Sequence, residues 1–144
     1  MTTISTEIII NASREKVWQV LMDFPNYGAW NPFIISISGE ARLGGRLTNV
    51  LQTKEKQRTF KPKIVTLDEN RHFEWVGSLP LGLFVGRHSF RLEEVNAQQV
   101  KLVHGEHFSG LLSGMIMKKI GEETRESFIA MNRALKERVE TMGD

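Results

Sequence analysis

Val100 to Phe108, VKLVHGEHF, followed by SGLLSG (Ser109 to Gly114) and a long amphipathic run to Met142, is the stretch whose reading decides the fold of this chain. Side chains two apart in a strand share a face, so Leu102, His104, Glu106 and Phe108 point the same way. Polar groups set among apolar ones on a face that must be buried mark a cavity lining. The run that follows spans Ser113 to Thr141 and carries Ile116, Ile120, Thr124, Phe128, Met131, Leu135, Val139 and Met142 at spacings of three and four. Lys118, Glu122, Arg125, Glu126, Arg133, Lys136 and Glu140 fill its other face. At 1.5 Å per residue this helix is roughly 40 Å long, enough to cross a whole sheet. Gly121 in its middle costs about 1 kcal/mol relative to Ala and allows a bend or a close approach.

Upstream, Ile4, Thr6, Ile8 and Ile10 alternate with Ser5, Glu7 and Ile9, which predicts a strand with one buried face. Ser13 is placed to cap a helix with Glu15 in its first turn and Val17, Trp18, Leu21 and Met22 at helical spacing, ending before Pro25. PNYGAWNPF lies between Pro25 and Pro32, which limits it to a short second helix or a turn that packs Tyr27 and Trp30 inward. From Phe33 the pattern becomes short strands broken by turn residues: Phe33 to Ser38, Arg46 to Thr53, Thr59 to Leu67, His72 to Ser78, Gly86 to Glu94 and Gln99 to Ser109. Pro62 inside the third of these demands an edge or a bulge.

The 144 residues suit one domain, 1–144, of a size that buries roughly 68–70% of its unfolded surface. Charged residues at 25% and hydrophobic residues at 40% are ordinary values for a water-soluble chain, and no apolar run approaches the ~20 residues of a membrane span. No basic leader precedes an apolar block and Glu7 interrupts the first apolar stretch, so a cytoplasmic location is expected. The absence of cysteine removes disulfides, thiolate chemistry and sulfur-based zinc sites. A net charge of +2 without a charged tail argues against nucleic acid as a partner. One segment, KEKQRTFKPK (Lys54 to Lys63), holds five basic residues and one acid. A solvated hairpin is the plain reading of it, and transient contact with an anionic membrane surface or ligand the alternative.

Strand, two helices around Trp-Asn-Pro, a long antiparallel meander and a terminal helix together resemble the helix-grip fold of the SRPBCC superfamily. That group holds START lipid-transfer domains, birch-pollen-allergen-like proteins and the polyketide cyclase/dehydrase family, and the chain is most similar to small bacterial members of the last. The residues that carry the resemblance are ASREKVWQVLMDFPNYGAWNPFI (Ala12 to Ile34), LPLGLFVGRHSFRLE (Leu79 to Glu93) and LVHGEHFSGLL (Leu102 to Leu112). It implies an α+β fold with a curved antiparallel sheet of about seven strands around the terminal helix and two short helices after the first strand. It also implies a deep pocket for an apolar small molecule between sheet and helix. Members bind lipids, quinones, hormones or polyketides, and only some are enzymes, so the reaction does not follow from the fold.

By strand parity Phe73, Trp75 and Gly77 share a face, as do His88, Phe90 and Leu92, and Leu102, His104, Glu106 and Phe108. If these faces share the concave side, the pocket is apolar with His88, His104 and Glu106 as its few polar groups, the usual composition of a ligand site. Phe84, Leu112, Ile116 and Ile120 complete the predicted ligand-binding set, and the apolar Leu79–Phe84 hairpin is a candidate gate. The bland alternative is that His104 and Glu106 only satisfy one another or a backbone carbonyl. The first functional reading is a carrier or binder of a hydrophobic small molecule. The second is a cyclase or dehydratase in which His88 or His104 moves protons and Glu106 orients the ring. A third is a protein-interaction module. No cofactor is expected, and no metal: His107 points away from His104 and Glu106 on a regular strand, and no HExxH helix is present. Gly44-Gly45 reads as a hairpin turn, not a phosphate loop.

Overall fold

The structure, a computed structural model, describes residues 2–54 and 56–142, so Glu55, the one acid of the basic segment, lies outside the described residues. Strand β1 (Thr2–Ile10) buries Ile4, Thr6 and Ile10, as its alternation requires. Helix α1 (Arg14–Met22) is capped by Ser13, whose hydroxyl accepts from the Lys16 amide at 3.2 Å. A 3-10 turn (Phe24–Ala29) follows and packs Tyr27 inward, where its hydroxyl donates to the Leu21 carbonyl at 2.7 Å. Asn31 then fixes the Asn-Pro corner, its side-chain oxygen accepting from the Phe33 and Ile34 amides.

Seven more strands follow: β2 (Ile34–Ser38), β3 (Thr48–Gln52), β4 (Gln57–Phe60), β5 (Lys63–Asp68), β6 (His72–Ser78), β7 (Val85–Asn96) and β8 (Gln99–Ser109). All ladders are antiparallel, in a sheet of order β1-β8-β7-β6-β5 and a smaller one of order β2-β3-β4. The expected strand Thr59 to Leu67 is therefore two strands in two sheets, which makes eight strands among the described residues where about seven are expected. Proline cannot donate to a ladder, and Pro62 sits at the break. Its carbonyl still accepts from the Leu47 amide, and an Arg46–Lys63 bridge joins the two sheets there. The strand expected from Arg46 correspondingly begins at Thr48. All of β4 is exposed. Lys54 anchors the basic segment to the terminal helix by its amide, which donates to Glu123, and by an ammonium 3.8 Å from Glu126.

Helix α2 (Ser113–Thr141) packs principally on β1 and β8 and closes the concave face of the larger sheet. This is the helix-grip architecture. Its buried stripe is Ser113, Met117, Phe128, Met131, Asn132, Leu135 and Val139. Ile120 is a correction to the expected pocket lining: it is 39% exposed. At 100° per residue Met117 lies about 20° round the helix from Phe128 and Ile120 about 80°, so Met117 takes the inward position.

Candidate functional site

The concave faces of β6, β7 and β8 coincide, because the ladders align Trp75 with His88 and His88 with Glu106. Phe73, Trp75, His88, Phe90, Leu102, His104 and Phe108 are all buried there, and Glu106 keeps a side-chain exposure of 18%. Phe84, Leu112 and Ile116 are half-buried; Phe84 stacks on Phe108, and the Leu112 amide donates to the Leu83 carbonyl. Of the twelve predicted ligand-binding residues only Ile120 turns outward. His107 is on the outer face, where its Nδ1 meets the Thr3 hydroxyl at 2.9 Å, so it does not join His104 and Glu106.

The polar groups form one connected chain. Thr6 Oγ1 donates to the His104 carbonyl at 2.8 Å, and Asn132 Nδ2 donates to Thr6 Oγ1 at 2.8 Å. His104 Nδ1 meets Asn132 Oδ1 at 2.7 Å, His88 Nε2 meets His104 Nε2 at 2.7 Å, and His88 Nδ1 meets Glu106 Oε1 at 3.2 Å. A carbonyl only accepts, so the direction of each link from Thr6 as far as the His104–His88 contact is fixed from that end. The Thr6 proton goes to the carbonyl, and Thr6 must then accept from the Asn132 amide. Asn132 Oδ1 accepts from His104 Nδ1–H, which leaves Nε2 of a neutral His104 as an acceptor for His88 Nε2–H. The remaining His88 nitrogen, Nδ1, shares one proton with Glu106.

Aromatic rings enclose this chain. His104 is sandwiched between Phe90 and Phe128, with ring centroids at 4.5 and 4.3 Å. His88 stacks on Trp75 at 4.8 Å. Burial, then the neighbouring His88, holds His104 well below the ordinary histidine value of 6.5, against the opposing bond to Asn132. His104 is thus a neutral relay, and the His88–Glu106 hydrogen bond is the end of the chain that reaches solvent.

Thr6 and Asn132 are site members that the sequence reading does not single out. Asn132 could have been found as a polar residue in the apolar stripe, four after Phe128 and three before Leu135; Thr6 stands likewise between Ile4 and Ile8 on the inward face of β1.

The solvent-reaching end is bordered by the hairpin from Leu79 to Phe84 and the start of α2. Leu79 N bonds Phe84 O and Leu112 N bonds Leu83 O, both within 2.9 Å, so hairpin and helix start move as neighbours. The ring of Phe84 stacks on Phe108 at 5.6 Å. Leu81 and Leu111 at this rim are 95% and 87% exposed. A separate surface concavity of about 600 Å³ lies at the other end of the β7–β8 ladder, between Asn11, Ser13, Lys16 and the Asn96–Gln99 turn. None of the predicted ligand residues borders it, and its lining offers no aromatic wall.

A curved antiparallel sheet gripping a long helix, with a few polar side chains inside an aromatic wall, defines the helix-grip class. The chain belongs to the family described as polyketide cyclase / dehydrase and lipid transport, which it matches over residues 1–140. Solved structures with this fold include a START superfamily protein from Mycobacterium smegmatis, 21% identical over 98% of this chain and 99% of that one, TM-score 0.75. The Zhui aromatase/cyclase from Streptomyces sp. R1128 is 14% identical over 96% of this chain and 93% of that one, TM-score 0.75. A protein from Thermus thermophilus is 18% identical over 99% of this chain and 100% of that one, TM-score 0.78. A comparison with curated proteins finds no match.

Proposed function

We propose that the protein binds a hydrophobic small molecule between the sheet and α2, entering at the rim formed by Leu79 to Phe84 and the start of α2. The observation that carries this reading is the composition of that end: Glu106, the one polar side chain of the relay that keeps contact with solvent, lies with Phe108 beside Gly86, and the Phe108 ring stacks on Phe84. Affinity comes from apolar burial, at about 25 cal/mol per Å², and orientation from the Glu106–His88 pair. The interior beyond is packed ring on ring, so the guest takes its place by displacing the Phe84–Phe108 stack and the hairpin that carries Phe84. Native mass spectrometry of the purified protein, with tryptophan fluorescence titrated against fatty alcohols, quinones and aromatic polyketides, tests the reading. A bound species with a saturable response supports it, and no response in any class contradicts it.

The hydrogen bond between His88 and Glu106 favours a second reading, general acid–base catalysis of the cyclase or dehydratase type. A general base needs an acceptor at hydrogen-bond reach of its substrate, and Glu106, oriented by His88, presents Oε2 at the solvent-reaching end of the chain. Under that reading His88→Ala and Glu106→Gln abolish turnover of a bound polyketide while binding is largely kept. Equal loss of both favours the binder.

A further inference from the structure

We infer that the ligand's polar end is a neutral hydrogen-bond donor, an alcohol or phenol hydroxyl, and that the site rejects the matching carboxylate. This rests on the binding reading above and names the chemistry that the same site selects.

Every link of the chain from Thr6 to Glu106 Oε1 is already made inside the protein. What remains for a guest is Glu106 Oε2. Among the described residues no hydrogen bond to this oxygen is present; it lies over the backbone of Gly86, where a Cβ would collide with it. Gly86 thus keeps room for the carboxylate beside Phe108.

Oε2 accepts wherever the shared proton sits. With the proton on His88, the pair is an imidazolium and a carboxylate, and Oε2 is a carboxylate oxygen. With the proton on Glu106, it is held by Oε1 toward His88 Nδ1, and Oε2 is a carbonyl-type oxygen. Neither state offers a donor outward. The pair is net neutral in both, so it supplies no cationic charge for an anion, and the atom nearest the guest carries the negative end of the pair. The cationic side chains closest in sequence to the rim do not repair this: Arg87 is on the outer face and paired with Glu74, and Lys118 and Lys119 are exposed on α2. An alcohol satisfies both itself and Oε2, whereas a carboxylate leaves two acceptors facing each other without water.

Isothermal titration calorimetry with two matched pairs, 1-decanol against decanoate and 2-naphthol against 2-naphthoate, tests this near neutral pH. The alcohol or phenol of each pair is expected to bind at least about tenfold more tightly than its carboxylate, the scale of one hydrogen bond to a charged group. In Glu106→Gln the ratio should shrink to within about threefold, because a carboxamide turns to donate as readily as to accept. Carboxylates that bind wild-type protein as well as the alcohols overturn the inference and leave the binding reading standing, as does a preference unchanged in Glu106→Gln. If no member of either pair binds, the binding reading falls and the inference with it.

Discussion

His88 Nε2 and His104 Nε2 face each other at 2.7 Å, so one ring donates and the other accepts, and both cannot carry a second proton on these nitrogens. The anchor of this arrangement is a backbone carbonyl, that of His104 itself, reached through Thr6 and Asn132. A strand residue and a residue from the terminal helix therefore set the tautomer of a histidine on β8, the strand next to β1.

The first consequence is a pH dependence of stability. His104 is held below 6.5 when folded and returns to about 6.5 when unfolded, so between those values the unfolded chain binds the extra proton. Stability is then complete above about pH 6.5 and is lost as pH falls below it, by up to about 1.4 kcal/mol per pH unit for one proton. Glu74 and Glu140 do not confuse this window. Glu74, raised by burial but lowered more by its bonds to Thr66 and Arg87, and Glu140, lowered by the Asn11 amide and Lys136, both act below 4.5. Urea unfolding from pH 7 to 5 should show the slope in wild-type protein and a flatter one in His104→Gln.

Asn132→Ala removes the acceptor of His104 Nδ1 and the donor to Thr6 together. Buried groups left unpaired cost about 1–3 kcal/mol each, so a loss of about 2–4 kcal/mol is expected from denaturant unfolding. The histidine ¹⁵N shifts give the specific readout: wild-type His104 should be protonated at Nδ1 alone, and Asn132→Ala should mix its tautomers.

Gly86→Ala puts a methyl group where the Glu106 carboxylate lies. The side chain is free to swing outward, so the fold persists but the His88–Glu106 hydrogen bond is lost, at about 1–3 kcal/mol. In a Glu106→Ala background the same change should cost much less, and a double-mutant cycle measures the difference.

Gly121→Ala should stabilise the protein by up to about 1 kcal/mol, since the new Cβ meets only the Met117 side chain at ordinary contact distance. A rise in Tm of a few degrees checks it. The glycine is not needed for a close helix–sheet approach at that point, contrary to one of the two uses its position suggests.

Much of this was legible from local periodicity. The inward faces of β6, β7 and β8 follow from parity alone, because a strand has only two faces and a one-residue slip would invert all of them. The long helix and the Ser13 cap follow in the same way. Three features were not legible. The link from Asn132 to Thr6 spans 126 positions, and no pattern of period two or near four encodes which polar residue of a helix meets which polar residue of a strand. Pro62 signals an interruption but not that the chain changes sheets there, which depends on the Leu47 and Arg46 contacts. Ile120 and Met117 both fit an apolar helix stripe, and the slow drift of a 3.6-residue repeat over eleven positions decided between them.

The most direct test of ligand binding at the Glu106 end is to map where an apolar ligand sits, by amide and methyl NMR shifts during titration with 2-naphthol. Saturable shifts are expected at Phe84, Glu106, Phe108, Leu112 and Ile116. Shifts confined to Asn11, Ser13 and the Asn96–Gln99 turn, or no shifts at all, would contradict it.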